Sequence, residues 1–154
     1  MMSVSEPMSE FKARQLGALE LAYIGDSVYE CCVRERLLLA GGGRMKALHR
    51  AAVSRVRASY QADALRRISP ILTPDEQGVC RRARNAQSGS MPKHAEPADY
   101  HAATAFEALI GYLYISGQDD RLGLIVEAAL SPENNTDAVE GEGVNACKTQ
   151  CCAD

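Results

Sequence analysis

Two acidic residues, Asp26 and Glu107, lie in helical patterns whose other members are mostly apolar. Glu107 is at the centre of the segment 102–115, which has no proline and carries apolar side chains on every side. This composition predicts a helix in the middle of a domain. With a turn of about 100° per residue, no position that shares a face with Glu107 is a cation. An ionised carboxylate there would be costly without a partner, so either a cation reaches it or it stays protonated.

Asp26 occupies a similar position in a helix that the sequence predicts over 15–40 and that ends at the glycine run 41–43. The apolar stripe that Asp26 interrupts consists of Leu19, Ala22, Tyr23, Tyr29, Val33 and Leu37. If the two helices pack face to face, their carboxylates meet and repel each other unless a cation binds between them. Gly25 and Gly111, one near each acid, would permit a close approach of the two backbones.

Two explanations of these acids remain open at this point. A single acid in an apolar helix most often pairs with an arginine or caps a backbone group. A divalent ion held by both acids is the other explanation, and Mg²⁺ commonly takes one or two protein carboxylates while keeping several waters.

The remaining elements are also helical, and the sequence predicts an all-α fold. Helical patterns cover 45–65 and 122–130, and a short helix follows Pro74 with Thr73 as its cap, whereas 85–99 reads as a loop. We expect an N-terminal lead-in over 1–13 and a single domain over 14–130. The segment 131–154 lacks periodic apolar residues and is predicted to be an acidic, disordered tail.

The charge distribution is uneven, although the net charge is only −3. Residues 44–93 contain eleven Lys or Arg against three acids, a local excess of +8, and this excess points to a polyanionic partner. No apolar run is long enough for a membrane span, and the N-terminus lacks the features of a secretory signal, so a cytoplasmic protein is expected.

Three strings resemble one known family. LAYIGDSVYE at 21–30 resembles the signature helix of the ribonuclease III family, and ATAFEALIGYLY at 103–114 resembles its second acidic helix. RRARNAQSGSMPKH at 81–94 resembles the basic loop of Mini-ribonuclease 3, the short branch that lacks a double-stranded-RNA-binding domain. The resemblance covers about residues 14–130 and implies the family's all-α endonuclease fold.

The resemblance also implies a function. It implies a homodimeric, Mg²⁺-dependent endoribonuclease that cleaves double-stranded RNA and leaves 5′-phosphate ends. For the short branch, it implies maturation of large-subunit (23S) ribosomal RNA precursors, assisted by a ribosomal protein. By position, Asp26 and Glu107 match the family's catalytic metal ligands, while two further carboxylates of the longer enzymes fall on Ala22 and Thr104.

The basic residues then become candidates for RNA binding, because proteins read A-form RNA mainly by shape, through phosphates and 2′-hydroxyls. The first candidate group is Arg81, Arg82, Arg84, Asn85, Gln87, Ser88 and Lys93, and the second is Lys46, His49 and Arg50. Both groups could instead be solvated helix faces. A non-catalytic RNA-binding or ribosome-assembly module is the alternative function, since it needs the basic surface but no turnover.

Overall fold

The fold consists of α-helices, as the sequence predicts. A computed structural model describes residues 4–86 and 96–131, and no β-strand occurs within these ranges. The helices are α1 Glu10–Gln15, α2 Ala18–Leu39, α3 Met45–Val56, α4 Ala58–Ile68, α5 Pro74–Arg84, α6 Pro97–Ile115 and α7 Asp119–Leu130. A 3-10 turn, Ser69–Ile71, joins α4 to α5. None of the described helices is both long and apolar enough to cross a bilayer.

Helix α6 is the centre of the fold, which confirms the prediction for the segment 102–115. Helices α2, α4 and α5 pack around it, and α1 and α7 add smaller contacts. Nearly every residue from Ala103 to Leu113 is buried, and Glu107 is the half-buried exception. A helix with so little polar surface is stable only when neighbours cover it on all sides.

The predicted helix ends at the glycine run 41–43 and at Thr73 are confirmed, and Gly117 ends a further helix. Gly41, Gly42 and Gly43 have positive φ after α2, and Gly117 has φ +69° after α6. At the start of α5, the Thr73 hydroxyl accepts from the Glu76 amide, while the Glu76 carboxylate accepts from the Thr73 amide. This reciprocal cap fixes where α5 begins.

Two predicted helices are each divided in the structure. The pattern over 15–40 breaks at Leu16 and Gly17, and the pattern over 45–65 breaks at Arg57, whose backbone is extended. At the second break two carbonyl groups at the end of α3 accept hydrogen bonds from side chains. The Tyr29 hydroxyl donates to Arg55 O at 3.2 Å, and Gln61 Nε2 donates to Val56 O at 3.1 Å. These contacts stabilise a corner that no glycine or proline marks in the sequence.

The residues before position 14 contact the helical domain. Ala13 is fully buried, and the Met8 amide donates to Ile115 O at 2.9 Å. The division into a lead-in, a domain over 14–130 and a tail stays a prediction, and residues 132–154 lie outside the described ranges.

Helices α2 and α6 cross at two glycines, and no side chain separates their backbones there. A Cβ added at Gly25 would lie 1.8 Å from Glu107 O, and one added at Gly111 would lie 2.0 Å from Leu21 O. Real Cβ atoms do not approach a carbonyl oxygen so closely, so the crossing requires glycine at both positions. The predicted role of these glycines is confirmed.

This crossing gives a test of the fold. We expect Gly25→Ala to lower the free energy of unfolding by about 3 kcal/mol or more, because the added methyl group meets backbone that cannot move away cheaply. Gly78→Ala is the matched control, since nothing lies within 4 Å of a Cβ at Gly78 on α5. Alanine there should stabilise the helix by up to about 1 kcal/mol. Urea denaturation measures the free energy of unfolding of both variants. Equal changes in Gly25→Ala and Gly78→Ala would contradict the close crossing.

Candidate active site

Glu107 lies half-buried on α6 at this crossing, and its carbonyl oxygen faces Gly25, the neighbour of Asp26. Burial raises the pKa of Glu107 to about 7, and the nearby charge of Asp26 adds to the rise, while a hydrogen bond from Gln61 lowers it. The structure therefore brings the two predicted acids into electrostatic contact. The interaction is repulsive whenever both are ionised.

Asp26 differs from Glu107 in its exposure. Its side chain reaches solvent, although partial burial raises its pKa and the charge of Glu30 adds to that rise. The prediction that Asp26 is as hard to solvate as Glu107 is therefore wrong. The reason is that Asp26 lies on the outward face of α2, where Leu19 is 38% exposed and Tyr23 is 81% exposed.

Neither acid has a cationic partner among the described residues. The buried Glu76 shows the opposite arrangement, because Arg121 donates to both of its oxygens at 2.7 Å. Burial alone would raise the pKa of Glu76, yet the hydrogen bonds from Arg121 and Thr73 hold it below its ordinary value. Of the two sequence-based explanations, pairing with arginine thus fits Glu76 and not Asp26 or Glu107.

Gln61 is a site residue that the sequence analysis missed. It comes from α4, is 1% exposed and lowers the pKa of Glu107 through its side-chain amide. A signal was present in the sequence: Gln61 occupies the same helical face as Ala64, Leu65 and Ile68, all of them buried. A polar residue in an apolar stripe was the criterion that singled out the two acids.

The site presents two carboxylates, whose oxygens suit a hard divalent cation that retains several waters. Within the described ranges, no group of three or more His, Cys, Asp or Glu residues could hold a metal ion. Ala22 is buried and has no ligand atom, and the Thr104 hydroxyl donates to Tyr100 O at 3.0 Å. An exposed carboxylate beside a half-buried one, both without a cationic partner among the described residues, therefore fits a single ion that keeps much of its hydration shell.

The predicted RNA-binding residues of α5 lie on two surfaces. Arg84 and Asn85 line a groove of about 640 Å³ together with Arg66 and His101, and this groove includes Ala62, the neighbour of Gln61. Arg81 and Arg82 line a different concavity, of about 600 Å³, which also includes the exposed ring of Phe11 and the Arg14 side chain. The first surface includes residues of α4, the helix that also carries Gln61.

The remaining candidates are placed as follows. Lys46, His49 and Arg50 are exposed on α3. Gln87, Ser88 and Lys93 lie outside the described residues, so their predicted contacts with RNA stay predictions.

Comparison with known proteins decides the family. The sequence profile of the Ribonuclease III domain matches residues 19–118. A Mini-ribonuclease 3 from Symbiobacterium thermophilum is 52% identical over 114 residues, covering 74% of this chain and 88% of the relative. The chain belongs to the Mini-ribonuclease 3 branch of the ribonuclease III family. Another Mini-ribonuclease 3, from Brevibacillus brevis, is 46% identical over 124 residues, covering 80% of this chain and 88% of the relative.

A solved structure agrees with this assignment. The crystal structure of a protein from Fusobacterium nucleatum aligns with a TM-score of 0.68 and 27% identity, covering 78% of this chain and 94% of that one. As a Mini-ribonuclease 3, the chain is an endoribonuclease. The ribonuclease III family acts on RNA, generally uses divalent metal ions and typically works as a dimer.

The raised pKa of Glu107 predicts a stability effect in metal-free protein. A carboxyl group whose folded-state pKa exceeds its unfolded value destabilises the fold as pH rises through that interval, here from about 4.5 to about 7. Glu107→Gln removes this penalty, so we expect it to raise the free energy of unfolding by about 1–3 kcal/mol at pH 8. The gain should shrink as pH falls towards 4.5.

Urea denaturation in EDTA at several pH values measures this effect. Glu96→Gln is the control, because Glu96 is exposed at the start of the same helix. A Glu107→Gln variant that is no more stable than the wild type at pH 8 would show that the carboxylate is well accommodated without a metal.

Proposed function

We propose that the protein is a Mg²⁺-dependent endoribonuclease that cleaves double-stranded RNA and leaves 5′-phosphate and 3′-hydroxyl ends. One observation carries this proposal: the carboxylates of Asp26 and Glu107 lie together at a helix crossing and lack any described basic partner. Repulsion between the two carboxylates makes this arrangement unfavourable when no cation is present. A divalent cation bound by both carboxylates would make it favourable.

Asp26 and Glu107 hold the metal ion in this proposal. When bound, Mg²⁺ supplies Lewis-acid activation of water and of the scissile phosphodiester. Asp26 provides the solvent-exposed ligand on the side open to RNA, and Glu107 provides the sheltered one on the central helix. This proposal assigns no side chain as general base. His101 lines the neighbouring groove rather than the helix crossing.

The groove beside α4 and the last turn of α5 is proposed to bind the RNA backbone. Arg84 and Asn85 lie there with Arg66, and Gln87, Ser88 and Lys93 continue the same segment of sequence. Arg81 and Arg82 extend the positive surface around α5, and Lys46, His49 and Arg50 form a second positive surface on α3. Double-stranded RNA fits such surfaces, because its phosphates and 2′-hydroxyls are displayed along a shallow groove.

A homodimer is proposed as the active form. Leu19 and Tyr23 lie one turn apart on α2 and are exposed immediately before Asp26. Exposed apolar side chains grouped in this way mark an interaction surface. Two copies joined near α2 would supply one site for each RNA strand, and sedimentation equilibrium measures the state directly.

The proposed substrate in the cell is a precursor of large-subunit (23S) ribosomal RNA, cut in the cytoplasm with the help of a ribosomal protein. The sequence similarity to Mini-ribonuclease 3 proteins supports this assignment, and so does the local excess of positive charge over 44–93. A precursor RNA cut in extracts of cells that lack this protein would contradict the assignment.

The central test is cleavage of long double-stranded RNA with and without Mg²⁺. We expect cleavage by the wild type only with Mg²⁺ and none detectable with Asp26→Asn or Glu107→Gln, because each change removes one of the two ionic ligands. RNA binding, measured by filter retention, should survive in both variants, and Glu96→Gln should cleave normally. Intact RNA with wild-type protein under both conditions would favour the alternative, a non-catalytic RNA-binding module.

The RNA surface is tested by the salt dependence of binding. Changing Arg81, Arg82 and Arg84 to Ala should weaken binding and reduce the slope of log K against log salt by about one for each phosphate that the variant no longer neutralises. Arg36→Ala is the control, because Arg36 pairs with Glu127 at 2.5 Å on α7, away from α5. A triple variant with the wild-type slope would remove these residues from the interface.

A further inference from the structure

A concavity of about 600 Å³ between α1 and α5 contains an exposed aromatic ring. Its walls include Phe11 and Arg14 of α1 and Arg81 and Arg82 of α5. Phe11 is 67% exposed, although a single exposed apolar residue is ordinary on a protein surface. The feature that needs an explanation is a further residue of the same concavity, which has no side chain.

This residue is Gly78, in the middle of α5. Glycine is one of the least favourable residues in a helix interior. Gly25 and Gly111 are explained by the close crossing of two backbones, but nothing lies within 4 Å of a Cβ added at Gly78. Packing within the described residues therefore gives no reason for glycine at this position, whereas a flat ligand lying against α5 would use the open space.

The cationic side chains of this concavity are of two kinds. Arg14 forms an ion pair with Asp75, so its charge is compensated. Arg81 and Arg82 are exposed and form no ion pair with another described residue. They follow Gly78 by three and four residues, so they lie on the same face of α5. The open space at Gly78 therefore adjoins two positive charges that no described acid compensates.

We propose that this concavity binds an unpaired nucleotide of the RNA substrate, with the base stacked on Phe11 and a phosphate at Arg81 and Arg82. Aromatic rings beside a positive surface are the features with which proteins bind single-stranded nucleic acid, because every base has a flat face that can stack. The inference rests on the proposed function only in taking RNA as the ligand, since this site needs neither Mg²⁺ nor the two acids.

A contact with another protein, including a second copy of the chain, is the competing use of an exposed phenylalanine. The two uncompensated arginines and the open space over a helical glycine favour a flat ligand that carries phosphate. Binding of single-stranded RNA separates the two uses.

Fluorescence anisotropy of a labelled oligoadenylate measures this binding with the full-length protein in EDTA, which removes divalent ions. We expect Phe11→Ala to weaken binding about 5-fold or more, the typical effect of losing one stacked base. Leu124→Ala is the control, since Leu124 is 49% exposed on α7 and is not part of this concavity. Binding of blunt-ended double-stranded RNA should change little in Phe11→Ala, because its bases are paired.

Gly78→Leu tests the open space itself. The added side chain would enter the concavity, so we expect oligoadenylate binding to fall about 5-fold or more. Leucine is a strong helix former, so the thermal midpoint should not fall. Gln77→Leu is the matched control, because it places the same side chain at an exposed neighbouring position outside the concavity. This control should bind oligoadenylate as the wild type does.

Wild-type affinity for oligoadenylate in both Phe11→Ala and Gly78→Leu would overturn the inference, and so would a wild-type protein that does not bind oligoadenylate. Weaker self-association of these variants, with unchanged oligoadenylate binding, would overturn it by assigning the surface to a second copy. If the wild type binds oligoadenylate through Phe11 but leaves double-stranded RNA intact with Mg²⁺, the proposed function fails and this inference stands.

Discussion

The close crossing of α2 and α6 is the constraint on which the site depends. Gly25 and Gly111 remove the side chains that would separate the two helices, so backbone meets backbone at Glu107 and Leu21. The same contact places Asp26 beside Glu107 and shelters Glu107 from solvent. Tight packing and carboxylate repulsion thus arise from one geometry, and the favourable packing maintains an electrostatic arrangement that the acids alone would not adopt.

The chain satisfies a buried carboxylate fully elsewhere. Both carboxylate oxygens of Glu76 accept hydrogen bonds from Arg121, and the carboxylate also caps the start of α5. These hydrogen bonds lower the pKa of Glu76. Glu107 has a raised pKa, one amide donor and an acidic neighbour instead. Such local destabilisation is common where a group must serve chemistry, because a fully neutralised carboxylate would have little affinity left for a metal ion.

The sequence predicted the parts of the site that follow from local pattern. Asp26 and Glu107 interrupt apolar stripes, and glycines beside them suggest a close crossing, so their proximity could be inferred. The all-α fold and the caps at Thr73 and Gly117 also follow from local signals. The family resemblance added the chemistry, and the comparisons confirm the family.

What the sequence did not predict depends on contacts between distant residues. The corner at Arg57 contains no breaker residue, and the hydroxyl of Tyr29 on another helix donates to a carbonyl group beside it. Periodicity also cannot tell whether an apolar face is covered within one chain, and Tyr23 proved to be exposed. The arginines of α5 looked like one group, yet they line two surfaces. Arg81 and Arg82 line a concavity with residues of α1, whereas Arg84, in the last turn, lines a groove with residues of α4 and α6.

The measurement that tests the account most directly is anomalous X-ray diffraction from crystals of the metal-free protein soaked in Mn²⁺. The expected result is a strong anomalous peak within ligand distance of both the Asp26 and the Glu107 carboxylates. A map with no peak between these two acids, or with a basic side chain occupying that space, would contradict it.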